Sequence, residues 1–423
     1  MRALFSVLIG YLAVPVLNAV SPLIALPAIT SAYGSGAWAA IAIGQSLGGT
    51  AGVIIELGWG LSGSQRVARM SPRNRGRVFA TSLVTKGIVA VPVLALALPI
   101  AFVLTPSFGA ISALIALASG LAALGAGWIF VGMMRPRLFL LTEVMPRTVL
   151  VALSALAISA GLPLVLYPLA LLVASLSPPV AAALVLGTRP ADLRALGPRR
   201  ILTVIRMQGH ALSTNIFSSI YLSLGTTVAT LGSVNATLIY ASVDRLKRMV
   251  QQVVLTQQYV LKGWVGREID PSRRIARAVR ATLVTALVGV LCGIAFAFAA
   301  PVAAEFVFSG TVDIPPLAAA IAGANLAVVC ASMATGAVML VTLGRVGAIA
   351  RSAAVGAVIG LPAIFVGALV WDGTGALAGQ LLAEVAVFGV QLFAIRARRR
   401  ELIRSGRWVV GPRVQEASTA APE

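Results

Sequence analysis

Residues 244–252 read DRLKRMVQQ, with apolar sequence on both sides. At about 100° per residue, Asp244, Lys247, Arg248 and Gln251 fall on one helix face, with Arg245 and Gln252 flanking it. Leu246, Met249, Val250, Val253 and Val254 form the opposite side. Two kinds of chemistry are open to such a face. Asp244 can pair with Lys247 at i+3 and Arg248 at i+4, so that the cluster neutralises itself. That accounts for one of three cations. The surplus positive charge can instead line a cavity and bind an anion. Arg245 and Arg248 suit phosphate through paired planar hydrogen bonds, with Lys247 as a point charge. Asp244 is also a candidate for carrying a coupling proton.

Other polar residues interrupt apolar sequence in the same way. Arg206 and His210 are four residues apart and share a helix face. Arg206 either lines a cavity or snorkels to the membrane interface. His210 can be a packing histidine, a proton carrier or a phosphate ligand. Asn18 lies in a segment that also holds Pro15, Pro22 and Pro27, which suits a bent helix beside a cavity. Gln45 is a further polar-lining candidate. Glu56 stands near the inner end of its segment and is expected to face the cytosol. Gly44, Gly48 and Gly52 recur at i+4, the pattern of a close-packing helix face.

The elements that hold these residues are membrane helices. Apolar runs recur along nearly the whole chain, and about 20 apolar residues are enough to cross the hydrocarbon core. The runs do not alternate as barrel strands do. About twelve spans are expected, near 4–30, 37–60, 78–104, 109–133, 139–161, 164–187, 201–225, 234–261, 281–300, 316–342, 346–370 and 374–395. The first is read as a span rather than a cleaved signal. Cys292 and Cys330 lie inside apolar runs, where packing is the expected role rather than a disulfide or a metal site. No metal or organic cofactor is expected; the coupling ion is left open between a proton, sodium and none.

The net charge of +20 does not point to nucleic acid, because its placement has another cause. Lys and Arg collect in alternate loops, around 66–77, 135–137, 189–200, 262–280 and 345, and in the tail from Arg396. The loops 31–36, 105–109, 300–316 and 371–375 carry none. Positive loops stay on the cytoplasmic side, so both termini are expected there. The stretch from Ala68 to Val89 also matches the stretch from Arg267 to Val288, with Pro72 opposite Pro271. Two six-helix halves follow, residues 1–190 and 191–395, with a basic tail over 396–423.

The run from Tyr33 to Lys86, with its Gly–Trp loop and "ELGWGLSGSQRVAR", resembles the polysaccharide transport proteins. These are repeat-unit flippases of the multidrug/oligosaccharidyl-lipid/polysaccharide exporter superfamily. "YASVDRLKRMVQQVV" resembles their eighth helix. The resemblance implies an all-α bundle of two pseudo-symmetric lobes around a central cavity lined by helices 1, 2, 7 and 8. It also implies a substrate of undecaprenyl-diphosphate-linked glycan in a bacterial cytoplasmic membrane, and polymerase or export proteins as partners. Peptidoglycan-precursor flippases are relatives, but usually have two more spans and more arginines in their first helices. A small-molecule exporter of the same superfamily is an alternative. A membrane glycosyltransferase or polymerase needs catalytic groups outside the membrane, where the 300–316 loop offers only Glu305 and Asp313. No enzymatic activity is therefore expected.

Overall fold

A computed structural model describes the backbone of residues 2–404, apart from Met134, Pro190, 193–196, 214–215, Arg267 and most of 61–69. The side chains of 1–23, Arg73, 208–223, Val253, Leu255, Thr256, Tyr259, Val260, Gly263 and Val346 lie outside the described set. Each of the twelve expected spans is largely helical, and there is no strand among the described residues. Eight described helices are long and apolar enough to cross a membrane. Neighbouring spans run together at two places, in Ile24–Glu56 and Gly347–Arg404, and the expected spans 201–225 and 234–261 include residues outside the described set.

The loop expected over 31–36 is one such place. Helix continues from Arg2 to Glu56 and leaves helical geometry only at Gly34, with φ 72° and ψ −176°. A side chain is strained at that positive φ, so glycine makes the turn. The loop expected over 371–375 shrinks in the same way to Trp371 and Asp372, inside the helix Val346–Arg404. On either side of it the chain doubles back tightly. A Cβ on Gly367 would collide with the Gly375 carbonyl oxygen, and one on Gly379 would collide with that of Ala363.

The helix Arg2–Glu56 touches both halves of the chain. It packs on Gly109–Leu121 and Met145–Ser159 of the first half, and on Ile216–Gly232 and Val234–Gly266 of the second. The glycine face is used on the first-half side. A Cβ on Gly44 would meet the Ser112 oxygen at 2.5 Å, and one on Gly48 would meet the Ala116 oxygen at the same distance. Gly48→Val is expected to destabilise by at least the 1–3 kcal/mol or so of an overpacked core, because the obstacle is backbone. Melting temperature measured in nanodiscs checks this. A wild-type value would mean the two helices separate at no cost.

Both halves contain a wide helical turn with π geometry, at Leu140–Val144 and Thr335–Leu340. Such turns shift the register of the side chains beyond them and often occur at functional sites. The fourth span is also broken. A 3₁₀ turn at Ala122–Leu124 follows Gly109–Leu121, and helix resumes at Gly127–Gly132. On the basic side, Asp270 caps the helix Pro271–Val307 by accepting from the backbone N–H of Ser272 at 2.7 Å and of Arg273 at 3.0 Å. Hydrogen bonds from Ser272, then Arg273, hold its carboxyl below the usual carboxylate range. Its stabilising effect is complete above the unfolded-state pKa and fades as pH falls through the lower folded one.

Candidate functional site

The helix Val234–Gly266 runs unbroken for 33 residues, as a segment without proline predicts. Its charged middle is inside the protein. Asp244 is 6 % exposed and Lys247 2 %. The Lys247 ammonium lies 3.0 Å from Asp244 Oδ1 and donates to Asn325 Oδ1 at 3.1 Å and Gln380 Oε1 at 2.7 Å. Its three protons thus have three acceptors, drawn from three helices. Arg248 Nε donates to the other Asp244 oxygen at 2.6 Å, and Gln380 Nε2 donates to Asp244 Oδ1 at 3.4 Å. Asp244 therefore neutralises with Lys247 and Arg248 at i+3 and i+4. Lys247 joins the charged helix to Pro316–Ala334 and Val346–Arg404 instead of facing open space.

Two cavities adjoin this knot. The larger, about 410 Å³, lies within the second half. Its lining includes Asp244, Lys247, Arg248, Gln251, Gln258 and Lys262 from the charged helix, and Glu384 and Gln391 from the last one. Both polar atoms of the Gln258 amide are buried there without a partner. The smaller, about 230 Å³, lies where the two halves meet, between Trp38, Gln45 and Ser46 on one side and Thr226, Arg245 and Arg248 on the other. Arg248 lines both, and its side chain is 42 % exposed. The buried Nε of Arg245 has no hydrogen-bond partner, although Tyr167, Arg147, Arg248 and Asp244 lie in its electrostatic range. Gln45 hydrogen-bonds Tyr167.

The halves are tied together around the smaller cavity. Trp38 Nε1 donates to Ser242 at 2.8 Å, Ser46 and Thr227 share a 2.8 Å hydrogen bond, and Ser309 donates to the Pro27 carbonyl at 3.1 Å. Trp38 and Phe308 pack with their rings tilted by 39° and ring centroids 5.5 Å apart. These ties gather towards the end of the bundle that carries the 300–316 loop, which has no Lys or Arg.

The structure thus brings Asp244, Arg245, Lys247, Arg248, Gln251 and Gln45 around the two cavities. Gln252 is half-buried and lines neither. Arg206 is exposed on the helix Pro198–Ser213 and lines neither cavity. Asn18 and His210 lie on helices, but their side chains are outside the described residues. Several lining residues escaped the sequence reading, among them Gln258, Asn325, Gln380, Glu384 and Gln391, and Lys262 lines the cavity rather than only a basic loop. A signal existed for the three on the last helix. Gln380, Glu384 and Gln391 are spaced i, i+4 and i+11 in an otherwise apolar span, which places them on one face. Glu56 departs from expectation in another way. It is half-buried and in electrostatic range of Lys86 and Glu143 rather than simply facing the cytosol.

No family model matches this sequence, and no curated protein matches it. Solved structures do. A multidrug-resistance MATE family transporter of the MOP superfamily, in an inward-facing conformation, is 15 % identical with a TM-score of 0.66, over 93 % of this chain and 99 % of that one. The eukaryotic MATE transporter AtDTX14 is 12 % identical with a TM-score of 0.53, over 94 % and 97 %. The MATE multidrug transporter DinF-BH, solved as a complex, is 16 % identical with a TM-score of 0.52, over 94 % and 96 %. The chain therefore has the two-lobed, all-helical MATE transporter fold, matched over nearly its whole length.

Proposed function

We propose that this protein is a membrane transporter that works by alternating access and exports a small organic molecule bearing an anionic group. The observation that carries this reading is the cavity of about 410 Å³ inside the second lobe, largely apolar with a cluster of charged side chains, joined through Arg248 to the interlobe cavity. That volume suits a drug-sized ligand. Its charged lining comprises Asp244, Lys247, Arg248, Lys262 and Glu384, one positive charge in excess, so an acid is favoured over a cation. Similarity to an inward-facing structure, and ties at the end whose loops lack Lys and Arg, support a form open to the basic-loop side. Rocking of the lobes then exposes the site to the other side. No step of this cycle needs a covalent reaction, and the protein acts as a carrier rather than an enzyme. With the basic loops cytoplasmic, the direction is outward.

A second reading has one observation in its favour. Arg245 and Arg248 meet at the junction of the lobes, where the diphosphate of a polyprenyl-linked glycan would pass with its tail in lipid. One experiment separates the two. Purified protein in nanodiscs is titrated with small organic acids, organic cations and a short polyprenyl-diphosphate glycan, followed by thermal shift and then by proteoliposome transport. Saturable binding and transport of acids supports export. Transport of the lipid-linked glycan alone selects the flippase and overturns the export reading. A preference for cations refutes the charge argument common to both.

Orientation is tested by single cysteines in a background lacking Cys292 and Cys330. Replacements of Ser107 or Thr374 are expected to react with an impermeant reagent applied outside. Replacements of Ser71 or Ser272 are expected to react only after permeabilisation. The reverse pattern would invert the transport direction.

A further inference from the structure

A third cavity, of about 390 Å³, lies at the basic-loop end of the second lobe. Lys262 and Val265 line it from the last turns of the helix Val234–Gly266. Arg274 lines it from the first turn of the helix Pro271–Val307. Ala337 and Val338 of the π turn Thr335–Leu340, and Val341 just beyond it, close the remaining side.

The charge of this cavity is one-sided. Lys262 and Arg274 are both half-buried, and no carboxylate lines the cavity among the described residues. The Nε of Arg274 is buried without a hydrogen-bond partner. The acids of the neighbouring loop are engaged elsewhere. Glu268 pairs with Arg277 at 2.6 Å, and Asp270 caps the helix Pro271–Val307. Two cations that face one cavity repel each other, and a bound anion relieves that repulsion.

The surroundings say which kind of anion fits. Trp264, between Lys262 and Val265 in sequence, is 39 % exposed. The Arg277 guanidinium stands 5.2 Å from the centre of its ring and donates to the Trp264 carbonyl at 3.1 Å. Tryptophan and arginine at the end of a membrane helix mark the level of the lipid headgroups. The rest of the wall is apolar. Val265 and Val338 are buried in it, and Val341 is 51 % exposed at its edge. A free phosphate gains nothing from such a wall, whereas an acyl chain does.

We propose that this cavity binds the headgroup of one anionic phospholipid from the leaflet on the basic-loop side. The phosphate takes the Arg274 guanidinium through its planar donors and the Lys262 ammonium as a point charge. The start of an acyl chain lies along Val338 and Val341. Basic pockets between membrane helices take such headgroups. The bound lipid bridges the ends of two helices, Val234–Gly266 and Pro271–Val307, and so stabilises the second lobe. The site needs the membrane placement of these helices but not the transport reading.

The test uses the full chain in nanodiscs of phosphatidylcholine, with and without phosphatidylglycerol. Its readouts are thermal unfolding and native mass spectrometry of the lipid retained. Wild type is expected to retain one phosphatidylglycerol and to melt higher when that lipid is present. Lys262→Gln combined with Arg274→Gln is expected to lose both effects, with binding weakened roughly tenfold or more for each contact removed. Arg273→Gln combined with Arg280→Gln removes the same charge from exposed positions outside the cavity and is expected to keep both effects. Val341→Trp fills the apolar side and leaves the two cations in place. It is expected to lower retention as well, and it decides the question if the Lys262, Arg274 variant does not fold. Equal losses in the two double variants would mean general attraction of a basic surface and overturn the site. Absence of retained phosphatidylglycerol in wild type overturns it outright. Inorganic phosphate titrated into phosphatidylcholine nanodiscs is the second arm. Stabilisation by phosphate that requires Lys262 and Arg274, with none from phosphatidylglycerol, assigns the cavity to a soluble phosphate and overturns the lipid. Failure of the export reading leaves all of these results standing, because none of them measures transport.

Discussion

Lys247→Ala is expected to destabilise the second lobe by about 3 kcal/mol or more, the range for breaking a buried ion pair from one side. The substitution leaves Asn325 and Gln380 without their donor and Asp244 with Arg248 alone. It also opens a void where an almost fully buried side chain stood. Removing both charges is a different perturbation. Lys247→Met combined with Asp244→Asn keeps the volume and leaves no unpaired buried charge, so most of the stability is expected to return. Thermal unfolding of the three variants in nanodiscs checks this. If Lys247→Ala melts like wild type, the knot has no structural role and its ammonium is available to a ligand. If the double variant is as unstable as the single one, the pair is needed for more than charge balance.

The largest functional effect is expected at Arg245 and Arg248. Each charge-assisted contact with an anionic group contributes about 1.5–3 kcal/mol. Losing one therefore weakens binding roughly tenfold to over a hundredfold. Arg248→Ala is expected to show this loss, because its side chain is 42 % exposed and lines both cavities. Arg248→Lys recovers only part of it, since lysine keeps the charge but not the planar pair of donors. Arg245→Ala acts through the interlobe cavity, where its Nε is buried and unpartnered. Leu246→Ala, on the buried apolar side, should reduce stability and leave affinity unchanged. Dissociation constants measured beside melting temperatures separate the two kinds of effect. Unchanged affinity in the double Arg245→Ala, Arg248→Ala variant would remove the basis for an anionic substrate.

Sequence alone determined the part of this protein that depends on water and lipid. Apolar run length requires helices, because the backbone must satisfy itself in hydrocarbon. Accordingly, every expected span is largely helical. The lack of proline and glycine from Val234 to Leu261 made one continuous helix, and the i+3 and i+4 spacing of Asp244, Lys247 and Arg248 made their pairing available. The Gly44, Gly48, Gly52 face was readable as a packing face for the same local reason. What sequence could not decide was which available partner each charge takes. Pairing with Asp244 used local spacing, but the other two acceptors of Lys247, Asn325 and Gln380, are 78 and 133 residues away. Those distances are closed only when three helices pack. The breaks at Gly34 and Asp372 fall inside the expected loops 31–36 and 371–375, whereas the one at Ala122–Leu124 interrupts an expected span and is likewise tertiary in origin. Lys86 and Glu143 come from two different spans and read in sequence as isolated charges. Only packing puts the Lys86 ammonium on the Ala123 carbonyl and the Glu143 carboxylate on the Ala126 N–H, where each takes a peptide group that the break in the fourth span set free.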